Sequence, residues 1–315
     1  MKIKDALNWA EKELKKAKIK SYKLDALVLL SFVLNKPKEE ILASQNTEIS
    51  PKRLGNYKSL IYRRSCHEPI AYLTGQKEFF GFNFKINKSA FIPRPETELL
   101  IEEVLKEIIE EEKRKAKQTG ELFLINKNTK LPFNLSFKKL IICDVGTGSG
   151  NIAITLAKYL PRSKIFAIDI SEKALRLAKE NAKLNKVKNI TFLKGNLMEP
   201  ITLKSDIICA NLPYISKKEI KNLPQEIKNY EPKESWFGGK DGLEVYRCLI
   251  PQLKSKIKPG GKVFLEIGWN QSKKIIELLK KYFKNAHIKI KKDLSKRDRI
   301  VIVRLRKEVK KLGKN

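Results

Sequence analysis

The segment Asp144-Val145-Gly146-Thr147-Gly148-Ser149-Gly150 sets three glycines at alternate positions directly after a run of apolar residues. Glycine lets a chain turn sharply and lets a ligand come close to the backbone, so such a turn at a strand end can hold a small polar molecule, although any strand-to-helix turn can use glycine. The spacing is G-x-G-x-G; the dinucleotide fingerprint G-x-G-x-x-G would need glycine where Asn151 stands. Asp169 closes the next apolar run, Ile165-Phe166-Ala167-Ile168. A carboxylate just past a second strand can accept two hydrogen bonds from a ribose diol. A helix dipole also favours an acid there, but the position after the glycine loop favours the ribose role. Two further polar clusters end later runs: Asn196-Leu197-Met198 and Asn211-Leu212-Pro213-Tyr214.

Such clusters need strands to carry them. Runs rich in β-branched residues occupy 140–145, 165–170, 190–193 and 207–210, with helical stretches at 151–160 and 171–185, the latter starting on Ser171 as N-cap. Strands at 263–267, 288–290 and 300–305 and helices at 242–256 and 272–283 follow. The alternation predicts an α/β chain with a parallel, doubly wound sheet, in which ligands bind beyond the carboxyl ends of the strands.

Upstream the texture differs. Residues 1–75 read as a helical bundle: Leu7, Ala10 and Leu14 recur at helical spacing, 24–34 is dense enough for a buried central helix, and Ser50-Pro51 starts a helix presenting Leu54, Tyr57 and Ile61. A β-hairpin linker is expected over 76–92, alternating around Gly81. The remaining expected units are a domain over 93–307 and a basic tail over 308–315. Within that domain Pro93 and Pro95 forbid regular helix, a long helix runs from Thr97 through Ile109, and 111–138, without clear periodicity, reads as an exposed insertion.

With 315 residues, 42% apolar and 32% charged, the chain is too long and too apolar for a disordered tail and suits two globular units. The start has no apolar core of a secretory signal, and the longest apolar run, 26–34, is far short of the roughly 20 residues that span a bilayer. A soluble, cytoplasmic protein without membrane contact is expected. Cys66, Cys143, Cys209 and Cys248 form no CxxC pair, and Cys143 and Cys209 lie in apolar runs; buried reduced thiols are expected, with no disulfide and no metal site. Lys+Arg 67 against Asp+Glu 35 gives +32, but only twelve of the basic residues are arginine and the lysines are spread along the chain. That charge can steer an acidic partner; nucleic-acid binding is compatible with it and not required by it.

The glycine loop with its leading acid resembles the cofactor loop of class I S-adenosylmethionine-dependent methyltransferases. The resemblance implies a Rossmann-like, mostly parallel sheet with an antiparallel C-terminal strand, and S-adenosyl-L-methionine held by Asp144, Gly146, Thr147, Gly148, Ser149, Gly150 and Asp169, with Asn196, Leu197 and Met198 at the adenine and Asn211 beside the methyl group. Asn211-Leu212-Pro213-Tyr214 resembles the N-P-P-Y motif of methyltransferases acting on planar nitrogens. Such nitrogens are poor nucleophiles because their lone pair is delocalised. The Asn211 side-chain oxygen and the Leu212 carbonyl would accept hydrogen bonds from the NH2 and aim it at the methyl sulfonium, with Pro213 shaping the turn and Tyr214 covering the planar group.

Further segments match one family in order: Cys66-His67-Glu68-Pro69-Ile70-Ala71-Tyr72-Leu73-Thr74-Gly75, Glu78-Phe79-Phe80-Gly81, Phe91-Ile92-Pro93-Arg94-Pro95-Glu96-Thr97-Glu98, Glu231-Pro232, Gly238-Gly239-Lys240-Asp241-Gly242-Leu243, Tyr246-Arg247, Glu266-Ile267-Gly268 and Asp298-Arg299. These resemble the release factor glutamine methyltransferases, the HemK/PrmC family, over nearly the whole chain except the insertion. The resemblance implies methylation of the side-chain amide nitrogen of the Gly-Gly-Gln glutamine in class 1 peptide chain release factors. The bundle would dock the release factor, Phe91 and 211–214 would line the substrate pocket, Arg94 and Glu96 would shape its wall or form a surface salt bridge, and the chain would act as a monomer. Leu212 departs from the family's proline: the carbonyl acceptor is kept and rigidity is lost. N-L-P-Y also resembles rRNA adenine dimethyltransferases, so an adenine-N6 RNA or DNA methyltransferase is the alternative. A catalytically silent nucleic-acid-binding protein on the same scaffold is a third reading, opposed by the intact set of Gly146, Gly148, Gly150, Asp169 and Asn211.

Overall fold

The computed structural model describes residues 1–119 and 139–306. The first elements in chain order are α1 (Ile3–Lys16), α2 (Tyr22–Leu34), α3 (Lys38–Ala43), α4 (Pro51–Ser65), α5 (Ile70–Thr74), β1 (Gln76–Phe79), β2 (Phe82–Lys85) and α6 (Pro95–Thr119). Then come β3 (Ile141–Val145), α7 (Asn151–Tyr159), β4 (Lys164–Asp169), α8 (Glu172–Leu184), β5 (Ile190–Lys194) and β6 (Ser205–Ala210). Last are α9 (Gln225–Tyr230), α10 (Glu244–Lys256), β7 (Ile257–Glu266), α11 (Ser272–Tyr282), β8 (His287–Lys292) and β9 (Asp298–Arg304). Two compact units divide them. The first holds Met1–Gln76, Ile86–Lys88 and Leu223–Glu231; the second holds Lys77–Lys85, Ser89–Asn222 and the chain from Pro232 onward.

In the first unit α1, α2 and α4 bury Ala6, Ala10, Leu14, Leu29, Leu30 and Ile61 in one core, and the Tyr57 hydroxyl donates to the Ala26 carbonyl at 3.0 Å. Pro51 opens α4 after an extended Ser50, since the first helical position needs no N–H and suits proline's fixed φ. The expectation of a fully buried 24–34 helix is corrected: α2 is apolar all round, but Leu24 and Phe32 are 56% and 43% exposed. Arg64 is buried and pairs with Asp25 at 2.7 Å and with Glu226 of α9 at 2.6 Å. This is why 223–231, distant in sequence, packs in this unit.

In the second unit β1 and β2 form a hairpin whose turn residues Phe80 and Gly81 both have positive φ, 52° and 75°, the geometry that matches strand twist in a two-residue loop. The long helix starts at Pro95, not Thr97, and runs on to Thr119. Proline is compatible with a first helical position, and buried Leu100, Ile101, Val104, Leu105 and Ile108 set its inner face. Residues 111–119 of the expected insertion therefore continue α6, while 120–138 and the expected basic tail lie outside the described residues.

The main sheet has the order β5-β4-β3-β6-β7-β9-β8. Strands β5, β4, β3, β6 and β7 pair in parallel, and β9 runs antiparallel to both β7 and β8. Strand order reverses beside β3, so the carboxyl ends of β4, β3 and β6 lie side by side at the position where such sheets bind ligands. All four thiols are free; Cys143 and Cys209 are buried, but Cys66 and Cys248 are exposed, which corrects the expectation that all would be inside. Cys66 caps the end of α4, and Cys248 lies on the exposed side of α10, away from buried Tyr246, Leu249 and Ile250. Among the described residues no helix is long and apolar enough to cross a membrane, and no group of three or more His, Cys, Asp or Glu is placed to hold a metal ion.

Candidate active site

All residues of the site belong to the second unit. After β3 the chain turns back beneath β4, with the Gly146 and Thr147 N–H groups donating to the Ile168 carbonyl at 2.8 and 2.9 Å. Gly146 has φ +73°, and a Cβ there would lie 2.7 Å from the Leu212 side chain. Any other residue would therefore be strained and would collide with the segment after β6. Asp144 is fully buried; its Oδ2 accepts from the Thr147 hydroxyl at 2.6 Å and from the Ala153 N–H at 3.1 Å. Its Oδ1 is buried without a partner, and burial pushes this carboxyl up to about 7. Asp169 ends β4 and accepts from the Gly148 N–H at 2.8 Å and the Ser171 N–H at 2.9 Å; burial raises its pKa as well.

Asn181, which the sequence reading did not single out, ties this loop to the hairpin. Its Nδ2 donates to the Ser149 carbonyl at 2.9 Å and the Lys85 carbonyl at 3.0 Å, while its Oδ1 accepts from the Lys85 N–H at 2.6 Å. The available signal was a polar residue on the buried face of α8, among Ala174, Leu177, Ala178 and Ala182.

These residues fit a nucleoside ligand. The unpartnered Asp144 oxygen offers an acceptor, and each oxygen of Asp169, holding one backbone N–H, keeps a lone pair for a diol hydroxyl. At the third strand β5 ends at Lys194, so Asn196 stands two residues beyond it. Asn196 is exposed and its Nδ2 donates to Glu199 at 3.0 Å. Leu197, at φ +53°, and Met198 turn inward into the sheet's core.

The segment after β6 is built on side chains from distant elements. Asn211 Nδ2 donates to the Thr97 hydroxyl on α6 at 3.0 Å. The Leu212 N–H donates to the Tyr246 hydroxyl at 3.3 Å, which itself donates to the Glu266 backbone carbonyl. The Tyr214 hydroxyl donates to Glu266 Oε1 at 3.3 Å, and Arg299 approaches it at 3.5 Å while donating to the Ile267 carbonyl. Gln271 donates to the Tyr214 carbonyl at 2.8 Å. A Cβ on Gly242 would lie 2.2 Å from that same carbonyl, so 238–242 can wrap the turn only with glycine there. Burial pushes Glu266 up to about 7 and raises Tyr214, whose neighbour Glu266 works the same way.

Leu212 is 4% exposed and lies in the core. Its N–H bond to Tyr246 is one that proline could not make, so the turn is fixed here by a hydrogen bond where a ring would otherwise stiffen it. Phe91 is half-buried, with the Arg94 guanidinium 4.6 Å above its ring. Glu96 is exposed, and its charge acts on Glu266 and Tyr214. Chemically, the arrangement juxtaposes a glycine loop whose free acceptors suit a nucleoside with a turn rich in amide and carbonyl acceptors, suited to orienting an NH2 group.

Two family models match the chain: a PrmC N-terminal domain over residues 5–75 and a methyltransferase domain over residues 136–303. A release factor glutamine methyltransferase of Moorella thermoacetica is 33% identical over 310 residues, covering 98% of this chain and 100% of that protein. One of Clostridium botulinum is 37% identical, covering 96% and 99%. A bifunctional methyltransferase of Rickettsia typhi is 36% identical over 95% of this chain, which spans 56% of that relative's length. Among solved structures, a methyltransferase from Pyrococcus furiosus aligns with a TM-score of 0.46 at 17% identity, over 80% of this chain and 99% of that one.

Proposed function

We propose, from the premise that the chain belongs to the release factor glutamine methyltransferase family, that it methylates the side-chain amide nitrogen (N5) of the Gly-Gly-Gln glutamine in class 1 peptide chain release factors. The donor is S-adenosylmethionine, which supplies an electrophilic methyl group when bound. The observation that supports this reading most directly is the coincidence in one chain of the family's N-terminal domain, over 5–75, with a glycine loop that abuts the 211–214 turn at Gly146 and Leu212.

On this reading the backbone of Gly146, Thr147, Gly148, Ser149 and Gly150 cradles the donor, Asp144 supplies a buried acceptor, and Asp169 takes the ribose diol. Asn196 and Leu197 border the adenine through the turn after β5. The Asn211 side-chain oxygen and the Leu212 carbonyl accept the two N–H bonds of the glutamine amide. Holding both hydrogens fixes the plane of the group and presents its nitrogen face to the methyl carbon, which replaces a search through orientations by one productive geometry. Acceptors on the N–H bonds also stabilise the positive charge that grows on nitrogen. Pro213 keeps the turn open, and Tyr214 and Phe91 cover the planar amide. The helical unit docks the release factor, and the enzyme acts in the cytoplasm as a monomer.

The test is mass spectrometry of a release factor's Gly-Gly-Gln peptide after incubation with the full chain and S-adenosylmethionine, with ribosomal RNA as a parallel substrate. One added methyl on that glutamine is expected. An unmodified peptide beside methylated RNA adenine would overturn the reading.

A further inference from the structure

Three of the four residues at 211–214 lead to one acidic residue, two of them to its carboxylate. Asn211 reaches it through Thr97, Leu212 reaches its backbone through Tyr246, and Tyr214 donates to it directly. The residue is Glu266, at the carboxyl end of β7 and 1% exposed. Thr97, likewise 1% exposed, stands between it and Asn211. Thr97 brings the Pro93-Arg94-Pro95-Glu96-Thr97-Glu98 segment into hydrogen-bonding contact with the 211–214 turn.

The direction of these bonds matters because a carboxamide can be turned either way. A threonine hydroxyl has one hydrogen and two lone pairs. An ionised carboxylate only accepts, so the Thr97 hydrogen goes to Glu266, whose charge it stabilises. The lone pair of Thr97 is then left for a donor, and the group of Asn211 that can donate is its NH2. With Nδ2 occupied in that way, Oδ1 faces outward as an acceptor. Were Glu266 to donate instead, the chain of bonds would reverse: Thr97 would give its hydrogen to Asn211 Oδ1, and the NH2 would be presented to the substrate, where it would repel an amide N–H.

Resting on the reading above, we infer that Thr97 and Glu266 are positioning residues for methyl transfer, whose hydrogen-bond polarity fixes the Asn211 carboxamide with its oxygen toward the nitrogen to be methylated. Burial leaves Glu266 Oε2 without a hydrogen-bond partner, which works against its charge, so the ionised form rests on the Thr97 and Tyr214 hydroxyls and on Arg299. The protonation state of Glu266 is therefore set by Thr97, Tyr214, Arg299 and the nearby charge of Glu96.

The test uses the full chain and T97V, T97S and E266Q, measuring kcat and KM for the release factor at saturating S-adenosylmethionine and, separately, the dissociation constant of S-adenosylmethionine. T97V, which keeps shape but not the hydroxyl, should lower kcat about 10- to 100-fold with donor affinity changed less than about threefold; T97S should restore most of the loss. The double variant T97V/N211A should be no slower than N211A alone, because both remove one orienting unit. For the unsubstituted chain kcat should fall tenfold per unit as pH drops below about 7, where burial places the Glu266 carboxyl, and E266Q should be slow and lack this limb. Unchanged kcat in T97V, equal damage in T97S, or additive losses in the double variant would each overturn the inference. The pH profile needs no substitution of Thr97, so a T97V chain that fails to fold still leaves a decisive measurement: a flat acid limb overturns it. Should the wild-type chain methylate adenine and not glutamine, the proposed substrate fails while the same variants, assayed on adenine, still decide the role of Thr97.

Discussion

The glycine loop and the 211–214 turn touch at Gly146 and Leu212, yet they are held by different means. Asp144 and Asp169 bind partners 3, 9 and 21 residues away in sequence. Asn211, Leu212 and Tyr214 depend on partners 114, 34 and 52 residues away. The first half of the site is built from β3, the glycine turn, α7 and the neighbouring β4–α8 pair, with Asn181 of α8 tying it to the hairpin. The second half exists only when α6, β6, α10 and β7 are assembled together. Cofactor binding should thus tolerate distant substitutions that methyl transfer does not.

The largest effect expected is for N211A. It should cut kcat by roughly 100- to 1,000-fold, in the range lost when an oriented transition-state acceptor or donor is removed, while calorimetry finds S-adenosylmethionine binding within about threefold of the wild type. Comparable loss of both would erase the distinction between the two halves. D169A should do the opposite: two acceptor sites for the ribose diol disappear, so donor affinity should fall about 10- to 100-fold, and kcat at saturating donor should stay near normal.

Glu266 separates the halves by stability. Its carboxyl titrates at its ordinary 4.5 when unfolded and near 7 when folded, so the folded state loses stability as pH rises through 7 and the unfolded state becomes the better home for the charge. E266Q carries no such cost. Its free energy of unfolding should exceed that of the wild type at pH 8 by an amount on the order of 1–3 kcal/mol in denaturant unfolding, and the gap should close below pH 4.5. A gap independent of pH would mean that the buried charge is not what strains this half. The smallest effect expected is for L212P: losing the N–H bond to Tyr246 and trimming a buried side chain should cost about 1–2 kcal/mol of stability in denaturant unfolding, with the Leu212 carbonyl, and hence most activity, retained.

Legibility in the sequence follows the same division. The glycine loop, Asp169, the alternation of strands and helices, and the Ser50-Pro51 helix start could be read because each is set by neighbours within a turn or two. The start of α6 could not be placed to the residue, because proline at a helix's first position and proline in a loop look alike in sequence. The exposed side of α2 was hidden because its apolar residues run all round, leaving no periodicity to mark a face. Cys248, on α10, also carries no local signal of its exposure.

The sequence by itself determined the fold class, the family and the place of the glycine loop after its strand, since those rest on local geometry and contiguous motifs. Only the tertiary structure decided that Thr97 reaches Asn211, that Leu212 replaces a ring's stiffness with a bond to Tyr246, and that Glu266 joins them. Hydrogen bonds between residues 34 to 114 positions apart leave no spacing for a reader of the chain to find, because the distance that matters closes only when the strands pair and α6 packs on the sheet.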